Sequence, residues 1–237
     1  MKKTDKNRVS IVVPTYNEAK NVEQLASEIE DSIGDIYDYE IRFVDDNSPD
    51  GTAKIVSSMA KSQQNIHLIV RSGKLGLASA VVEGFNSSNS EYLVMMDSDL
   101  SHDPRHLIDV IRGLKHNDIV VGSRTVKGGQ TIGWPKRRVI SSKFATLLAK
   151  VILGLKTGDL TSGFAGFRRD TYIEVLPRLR PRGFKLVLEI LVKAAPHTRV
   201  KEVPITFTDR VSGQSKFSMG EIVNFFVQCF RLRVYRK

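Results

Sequence analysis

Two aspartates separated by one residue carry the strongest chemical signal in the chain. Asp97 and Asp99 directly follow the apolar run Leu93–Met96, which predicts a buried strand. Carboxylates at i and i+2 beyond a strand end can hold Mg²⁺ or Mn²⁺, ions that keep coordination positions open for substrate phosphates. A lone D-x-D is a weak signal, because acidic residues are also common in turns and as helix caps. Both interpretations stand at this point.

A second acidic pair, Asp45-Asp46, follows another apolar run, Ile41–Val44. In nucleotide sites such carboxylates accept hydrogen bonds from ribose hydroxyls or base N–H groups. The alternative is an Asx turn into the next helix, since the sequence Asn47–Gly51 has the composition of a turn. The two roles are compatible with each other.

The glycine-rich phosphate loops of common nucleotide-binding proteins are absent from the sequence. The first strand, Ile11–Val13, is followed by Pro14–Glu18 instead of G-x-G-x-x-G, and no GxxxxGK[ST] occurs. A diphosphate is therefore not expected to rest on a glycine-rich helix start. A bridging metal ion is the natural substitute, and the pattern disfavours a dehydrogenase.

Strands and helices alternate through the first half of the chain. This alternation predicts an α/β fold with a mostly parallel sheet covered by helices on both faces. Because polar ligands of such sheets bind at the carboxyl ends of the strands, the polar clusters should meet at one edge. The expected strands are 11–13, 41–44, 66–70, 92–96 and 119–121, and the expected helices are 21–33, 52–61, 75–86 and 104–114.

The net charge of +10 is unevenly distributed along the 237 residues. Residues 1–120 carry 13 Lys and Arg against 19 Asp and Glu, a net −6, whereas residues 121–237 carry 23 against 7, a net +16. The basic half is either an ordinary solvated surface or a part that handles phosphates, an acidic membrane or nucleic acid. The single cysteine, Cys229, excludes an internal disulfide, and the short run Val9–Pro14 predicts a buried strand instead of a signal peptide.

Two amphipathic segments occur in the basic half, at 139–155 and 219–235. The first directly follows Lys136-Arg137-Arg138, and Lys143 and Lys150 interrupt it, so it does not predict a membrane-spanning helix. It suits a helix lying on an acidic membrane surface, and the alternative is that its stripe packs on the sheet. The stripe contains Ile140, Phe144, Leu147, Leu148, Val151 and Leu155.

Seven sequence blocks together resemble glycosyltransferase family 2, and within it the dolichyl-phosphate (polyprenyl-phosphate) mannose synthases. The resemblance runs from Val9 to about Phe230. The blocks are VSIVVPTYNEAKNV, VDDNSPDGT, RSGKLGLASAVVEGF, MMDSDLSHDP, VVGSR, LTSGFAGFRR and VPITFTDRVSGQSK.

The resemblance implies a GT-A fold, a Rossmann-like sheet with C-terminal amphipathic helices, and transfer of mannose with inversion. The implied substrates are GDP-mannose and dolichyl or polyprenyl monophosphate, with Mg²⁺ or Mn²⁺ as cofactor. The implied location is peripheral, on the cytoplasmic face of a membrane, and a small membrane-anchoring partner is a further expectation. We divide the chain into a catalytic domain at 1–217, with a nucleotide-sugar half at 1–120 and an acceptor half at 121–217, and a basic amphipathic helix at 218–237.

Site residues are carried over from the family by matching motifs. Asp97, Asp99 and Arg210 are the expected catalytic residues, with Arg210 on an active-site flap. Ser101 is the third expected metal ligand, although the family often has a stronger donor there. The expected nucleotide-sugar residues are Pro14, Tyr16, Glu18, Val44, Asp45, Asp46, Lys74, Asp97, Ser98, Asp99 and Arg210. Those for the acceptor phosphate are Arg124, Arg137, Ser141 and Lys216, with Arg138 and Ser142 as alternatives to the middle pair.

These residue types suffice for the implied reaction. A phosphate monoester has its second pKa at about 6, so it is already anionic and needs positioning more than a general base. Arginine guanidinium groups supply that positioning. One alternative keeps the fold and changes the substrates, as in a glucosyl-phosphate lipid synthase that uses UDP-glucose, or in another family 2 glycosyltransferase that acts on a different sugar or glycan. A nucleic-acid-binding module is disfavoured because the sequence has no RNP-like, zinc or helix-turn-helix pattern, so no nucleic-acid partner is expected.

Overall fold

The protein is built around one seven-stranded sheet. The computed structural model describes residues 5–181, 185–209 and 219–235. The sheet contains β1 (Asp5–Thr15), β2 (Tyr37–Asp45), β3 (Ile66–Val70), β4 (Tyr92–Met95), β5 (Ile119–Ser123), β7 (Ala165–Arg168) and β8 (Val200–Pro204). Their order is β3-β2-β1-β4-β7-β5-β8, and all pairs are parallel except those of β7. Two short strands, β6 (Gln130–Ile132) and β9 (Thr206–Thr208), form a separate parallel pair.

Helices cover both faces of the sheet. The α-helices are α1 (Val22–Ile33), α2 (Thr52–Ser62), α3 (Leu77–Asn86), α4 (Leu107–Leu114), α5 (Lys136–Leu153), α6 (Arg169–Val175), α7 (Leu186–Lys193) and α8 (Met219–Tyr235), and Pro104–His106 and Leu176–Arg178 are 3₁₀ turns. Successive side chains of β1 enter opposite cores, as the period of a strand requires. Ile11 and Val13 join the core of α1, α2 and α4, whereas Val12 joins the core that contains α3 and α5 to α8. The predicted mostly parallel sheet with helices on both faces is confirmed.

The sequence predicted neither β8 nor β7 of this sheet, and β7 is the strand with the unusual place. It lies between β4 and β5 and runs antiparallel to both. It has only four residues, and a Cβ at its Gly166 would come within 2.8 Å of Val110 Cγ1 on α4. A short strand with a glycine has low intrinsic strand preference, so its place is set by packing against α4 and by its two neighbours.

A buried ion cluster joins β2 to β1 and to the segment before β4. The Glu40 carboxylate accepts two hydrogen bonds from Arg42, both at 2.9 Å, and one from Ser88 Oγ at 2.6 Å. Burial alone would raise the pKa of Glu40, but these hydrogen bonds and the charges of Arg42 and Arg8 lower it to about 2. The carboxylate therefore stays ionised in the folded protein.

Helix α5 has an apolar stripe that faces solvent. Ile140, Phe144, Leu147 and Val151 are 59% to 72% exposed, while Ala149 and Leu153 on another side are buried. The predicted alternative, in which this stripe packs on the sheet, is therefore wrong for these four residues.

Helix α8 packs against α5 and α7. Its buried side chains, Phe225, Cys229 and Leu232, belong to the same core as those of α5. Val227, Phe230 and Val234 remain exposed. Within the described ranges, no helix is both long and apolar enough to cross a membrane. The division of the chain into halves and a terminal helix stays a prediction.

Candidate active site

The predicted polar clusters lie at one edge of the sheet. β2, β1 and β4 are parallel neighbours, so the residues that follow them emerge at the same edge. Each strand is followed by a residue with positive φ: Asn17 at 62°, Asn47 at 57° and Leu100 at 61°. Asparagine tolerates this conformation, but a leucine there is strained. Such strain in the turn after β4 is a common feature of functional sites.

The turn after β4 carries the D-x-D aspartates. Asp99 Oδ1 accepts the Ser101 backbone N–H at 3.0 Å, and Asp97 Oδ2 lies 3.3 Å from His102 Nε2. Ser98, which separates the two aspartates in the sequence, is buried. The Ser101 hydroxyl is also buried, and no described residue hydrogen-bonds to it. An unsatisfied buried oxygen beside two carboxylates fits a site that holds a hard cation with bound water.

Asp45 and Asp46 have different surroundings. Asp45 is fully buried, and its carboxylate accepts hydrogen bonds from Thr15 Oγ1 at 3.0 Å and from the Ser48 backbone N–H at 2.8 Å. These bonds make it the organiser of the turn, as the Asx-turn alternative expected. Asp46 instead pairs with Arg71 Nη1 at 2.8 Å and accepts the Gly76 backbone N–H at 2.9 Å. It thereby anchors the loop that carries Lys74.

The remaining predicted nucleotide residues divide into exposed and buried ones. Lys74 Nζ lies 4.0 Å from the centroid of the Tyr16 ring, a cation–π contact at the edge of the sheet. Glu18 is half-buried and accepts the Asn21 side-chain amide at 2.6 Å. Pro14 and Val44 are buried within their strands, and Val44 packs in the core. Tyr16 and Lys74 are thus the predicted residues best placed to meet a ligand.

Arg124 lies just after β5 and is committed to a buried ion pair. Its Nε and Nη2 donate to the two oxygens of Asp159 at 2.7 and 2.8 Å, and Nη2 also reaches Thr161 Oγ1 at 2.9 Å. Burial alone would raise the pKa of Asp159, but the hydrogen bonds and charge of Arg124 keep it below its usual value. Asp159 was not identified from the sequence, because it lies 35 residues from Arg124.

An aromatic cluster beside Arg124 receives a second arginine. The Arg138 guanidinium lies 3.8 Å from the centroid of the Trp134 ring, and Arg124 lies 5.4 Å from it. Arg138 Nη1 also donates to Asp209 at 3.2 Å. Of the two candidate arginines, the structure therefore brings Arg138 to the cluster, whereas the predicted Arg137 has an exposed side chain.

Ser141, Arg210 and Lys216 were also predicted as site residues. Ser141 is half-buried, and its hydroxyl donates to the Arg138 backbone oxygen at 3.1 Å. Arg210 and Lys216 lie outside the described residues. The described chain reaches Asp209, whose backbone N–H donates to Ile132 in β6 at 2.9 Å. The described residues that precede Arg210 are thus hydrogen-bonded to β6.

The sheet edge therefore combines paired carboxylates with clustered arginines, and the sequence comparison identifies the family. The model of glycosyl transferase family 2 matches residues 10–176. The chain belongs to this family. It is thus a glycosyltransferase, and the family resemblance expected from the motifs is confirmed.

Three relatives cover most of the chain. A dolichol-phosphate mannosyltransferase of Pyrococcus furiosus is 38% identical over 95% of this chain and 63% of its own length. An undecaprenyl-phosphate mannosyltransferase of Micrococcus luteus is 33% identical over 90% of this chain and 88% of its own. A dolichol-phosphate mannosyltransferase of Saccharomyces cerevisiae is 33% identical over 96% and 87%. The chain thus spans less than two thirds of the first of these proteins.

Solved structures share the fold of this glycosyltransferase. A glucosyl-3-phosphoglycerate synthase of Mycobacterium tuberculosis, in complex with Mn²⁺, UDP and glucosyl-3-phosphoglycerate, has a TM-score of 0.69. It is 17% identical, over 98% of this chain and 80% of that one. The same synthase has also been solved with Mg²⁺ and UDP, again with a TM-score of 0.69. These matches confirm the expected GT-A type of fold.

The residues at the D-x-D turn are compatible with a divalent cation. No cluster of three or more Asp, Glu, His or Cys side chains suited to a metal occurs in the described part of the chain. The available donors are therefore the two aspartates and the Ser101 hydroxyl. A donor set of few hard oxygens suits Mg²⁺ or Mn²⁺, which keep several waters or substrate oxygens as ligands.

Proposed function

We propose that this glycosyltransferase moves mannose from GDP-mannose to a dolichyl or other polyprenyl monophosphate, with inversion at the sugar carbon. The observation that carries the proposal is the likeness to polyprenyl-phosphate mannosyltransferases at 33% to 38% identity, over at least 90% of this chain. The two sides of the sheet edge supply what each substrate requires.

The donor side consists of the D-x-D turn and the ends of β1 and β2. Asp97, Asp99 and Ser101 would hold Mg²⁺ or Mn²⁺, which when bound neutralises charge on the leaving diphosphate. The Tyr16–Lys74 pair would contact the nucleotide. Asp46 holds the loop of Lys74 through its bonds to Arg71 and the Gly76 backbone. These residues orient the donor so that C1 of the sugar faces the acceptor.

The acceptor side consists of Arg124, Arg138 and Trp134. Their two guanidinium groups approach one tryptophan ring, and each also pairs with an aspartate, Arg124 with Asp159 and Arg138 with Asp209. A guanidinium has five N–H donors, so donors remain for a phosphate. A lipid phosphate placed there would be partly neutralised and aligned for attack. Its oxygen forms the new bond to C1 while the bond from C1 to the diphosphate breaks, and GDP leaves. No general base is needed, because the phosphate is already ionised. Ser141, Arg210 and Lys216 remain part of the proposal, and Arg138 takes the place first expected for Arg137.

The α5–α8 apolar surface would bring the enzyme to its lipid substrate. We define this surface as Ile140, Phe144, Leu147 and Val151 of α5 with Val227, Phe230 and Val234 of α8, all exposed. The basic residues Arg137, Lys143, Arg231 and Arg233 on the same two helices are exposed as well. Apolar and cationic side chains together suit the interface of an acidic bilayer, where each cation contributes about 1 kcal/mol.

We therefore propose that the enzyme binds peripherally to the anionic cytoplasmic leaflet of a membrane. A small membrane-anchoring partner would hold it there in addition to the α5–α8 apolar surface. Flotation with vesicles tests the membrane part of the proposal. We expect binding to vesicles that contain phosphatidylserine, and weaker binding in high salt. Failure to float with anionic vesicles would refute membrane docking by this surface.

The substrate part is tested by a donor and acceptor assay on the full chain. Purified protein is supplied with Mn²⁺, a polyprenyl phosphate in detergent, and either GDP-mannose or UDP-glucose. We expect a mannosylated lipid from GDP-mannose and little product from UDP-glucose. Turnover with UDP-glucose alone would overturn the donor assignment, and sugar transfer without lipid phosphate would overturn the acceptor assignment.

A further inference from the structure

His102 is a buried histidine whose ring is fixed from several directions. It lies between Phe164 and Phe207, with ring centroids 5.4 and 5.1 Å away. Its backbone forms a β-bridge with Phe207, and the neighbouring Ser101 oxygen accepts the Thr208 N–H at 3.0 Å. The ring therefore has little freedom to rotate or to move away from the D-x-D turn.

One ring nitrogen of His102 faces Asp97. Nε2 lies 3.3 Å from Asp97 Oδ2. Because a carboxylate only accepts hydrogen bonds, Nε2 must carry the donated proton. The opposite nitrogen, Nδ1, is buried and has no hydrogen-bond partner among the described residues. Within the described part of the chain, the ring of His102 thus makes its hydrogen bond to Asp97 through Nε2, and Nδ1 makes none.

Gly163 closes the other side of the same carboxylate. A Cβ at this position would lie 2.5 Å from Asp97 Oδ2 and 2.9 Å from Oδ1. These separations are shorter than any van der Waals contact, so a larger residue would displace the carboxylate. Gly163 lies in the block LTSGFAGFRR, just before β7.

We propose that His102 is a positioning residue for Asp97, with Gly163 as the space that the carboxylate needs. The imidazole N–H holds Oδ2, which leaves Oδ1 in a defined orientation toward the cation. Hydrogen bonds of this kind set the direction of a ligating carboxylate, and their loss typically weakens metal binding about 10- to 100-fold. This inference rests on the proposed metal site at Asp97 and Asp99.

Mn²⁺ binding to the full chain tests this role without reference to turnover. Free Mn²⁺ is measured by electron paramagnetic resonance during titration in the presence of GDP. His102→Phe keeps an aromatic ring between Phe164 and Phe207 and removes the N–H. We expect this variant to bind Mn²⁺ at least roughly tenfold more weakly than the wild type. His102→Gln places an amide N–H near the position of Nε2 and should recover most of that loss.

A matched control comes from His106 on the same segment. Its Nε2 accepts the Thr206 backbone N–H at 3.0 Å, so it also contacts β9. Among the described residues, the hydrogen bond to Asp97 comes from His102 and not from His106. His106→Phe should leave Mn²⁺ affinity unchanged. If His102→Phe binds Mn²⁺ like the wild type, or if His102→Gln is as weak as His102→Phe, the positioning role is refuted.

Gly163→Ala keeps the test decisive if His102→Phe does not fold. We expect this variant to fold, with a cooperative melting transition, and to bind Mn²⁺ at least tenfold more weakly than the wild type. The reason is that its Cβ would occupy the place of Asp97 Oδ2. A folded Gly163→Ala with normal affinity would overturn the proposal. Asp97→Asn separates this outcome from a failure of the metal site itself. If Asp97→Asn also binds Mn²⁺ normally, the cation is held elsewhere and the proposed site is wrong.

Discussion

The Arg124–Asp159 pair offers a prediction that connects stability with acceptor binding. Asp159→Asn preserves the shape of the side chain and removes its charge. The carboxylate is almost fully buried and accepts two bonds from the guanidinium, at 2.7 and 2.8 Å, and one from the Arg124 backbone N–H at 3.1 Å. The substitution would leave a largely buried arginine charge without its counterion.

Breaking a buried pair by removing one partner typically costs about 3–5 kcal/mol. In a domain of this size, that corresponds to a fall of roughly 6–20 °C in melting temperature. Asp118→Asn is a matched control, because Asp118 forms a similar pair with Arg199, whose side chain is 63% exposed. An ion pair with an exposed partner is screened by water and contributes little, so the control should melt within a few degrees of the wild type.

The assay is urea unfolding of both variants, followed by steady-state kinetics on the folded protein. We expect Asp159→Asn to lose several times more unfolding free energy than Asp118→Asn. It should also raise the KM for lipid phosphate more than the KM for GDP-mannose, because Arg124 is no longer held against Trp134. Equal stability losses in the two variants would refute the assigned role of the buried pair.

Three further predictions concern the acceptor site, acid stability and the membrane surface. Arg138→Ala should raise the KM for lipid phosphate at least tenfold, whereas Arg137→Ala should change it little. A larger rise in KM for Arg137→Ala than for Arg138→Ala would favour Arg137, the residue chosen from the sequence. The pKa of Glu40 is lowered to about 2 from 4.5, so its stabilising effect is present above pH 4.5 and is lost as the pH falls toward 2. Between those pH values, the wild type should lose about 3 kcal/mol more unfolding free energy than Glu40→Gln. If the unfolding free energy of both proteins falls equally with pH, this expectation is wrong. Phe144→Asp should weaken binding to anionic vesicles about tenfold in the flotation assay. Ile173→Asp, at an exposed apolar residue of α6, should not weaken it. Equal losses of binding in the two variants would exclude specific docking by the α5–α8 apolar surface.

Much of the fold follows from local patterns in the sequence. The five strands predicted in the first half of the chain all occur, and α1 begins within one residue of the expected boundary. These elements have clear apolar periodicity and turn residues at both ends. Strand β7 was not predicted because four residues carry too little pattern, and its antiparallel position depends on β4, β5 and α4.

The candidate site was predictable only where its residues follow strand ends. The Asp97–Asp99 turn and the Asp45–Asp46 turn were identified in this way. The contacts of Trp134 and Asp159, and those of the His102 ring with Phe164 and Phe207, join segments distant in the chain, so no local spacing reveals them. His102 is only five residues from Asp97, but nothing in the sequence shows that its ring turns toward that carboxylate. The proposed choice of Arg138 over Arg137 depends on the direction of one helical residue, and it is supported by the contacts of Arg138 with Trp134 and Asp209.

In the proposed function, Asp97 and Asp99 support metal-dependent transfer of mannose to a lipid phosphate. The most direct measurement is the initial rate of mannosyl-lipid formation by the wild type, Asp97→Asn and Asp99→Asn, with Mn²⁺ and with EDTA, after circular dichroism has shown that all three are folded. We predict robust transfer by the wild type with Mn²⁺, and a rate reduced roughly 100-fold or more in EDTA and in both variants. Wild-type rates in either variant, or full activity in EDTA, would contradict the account.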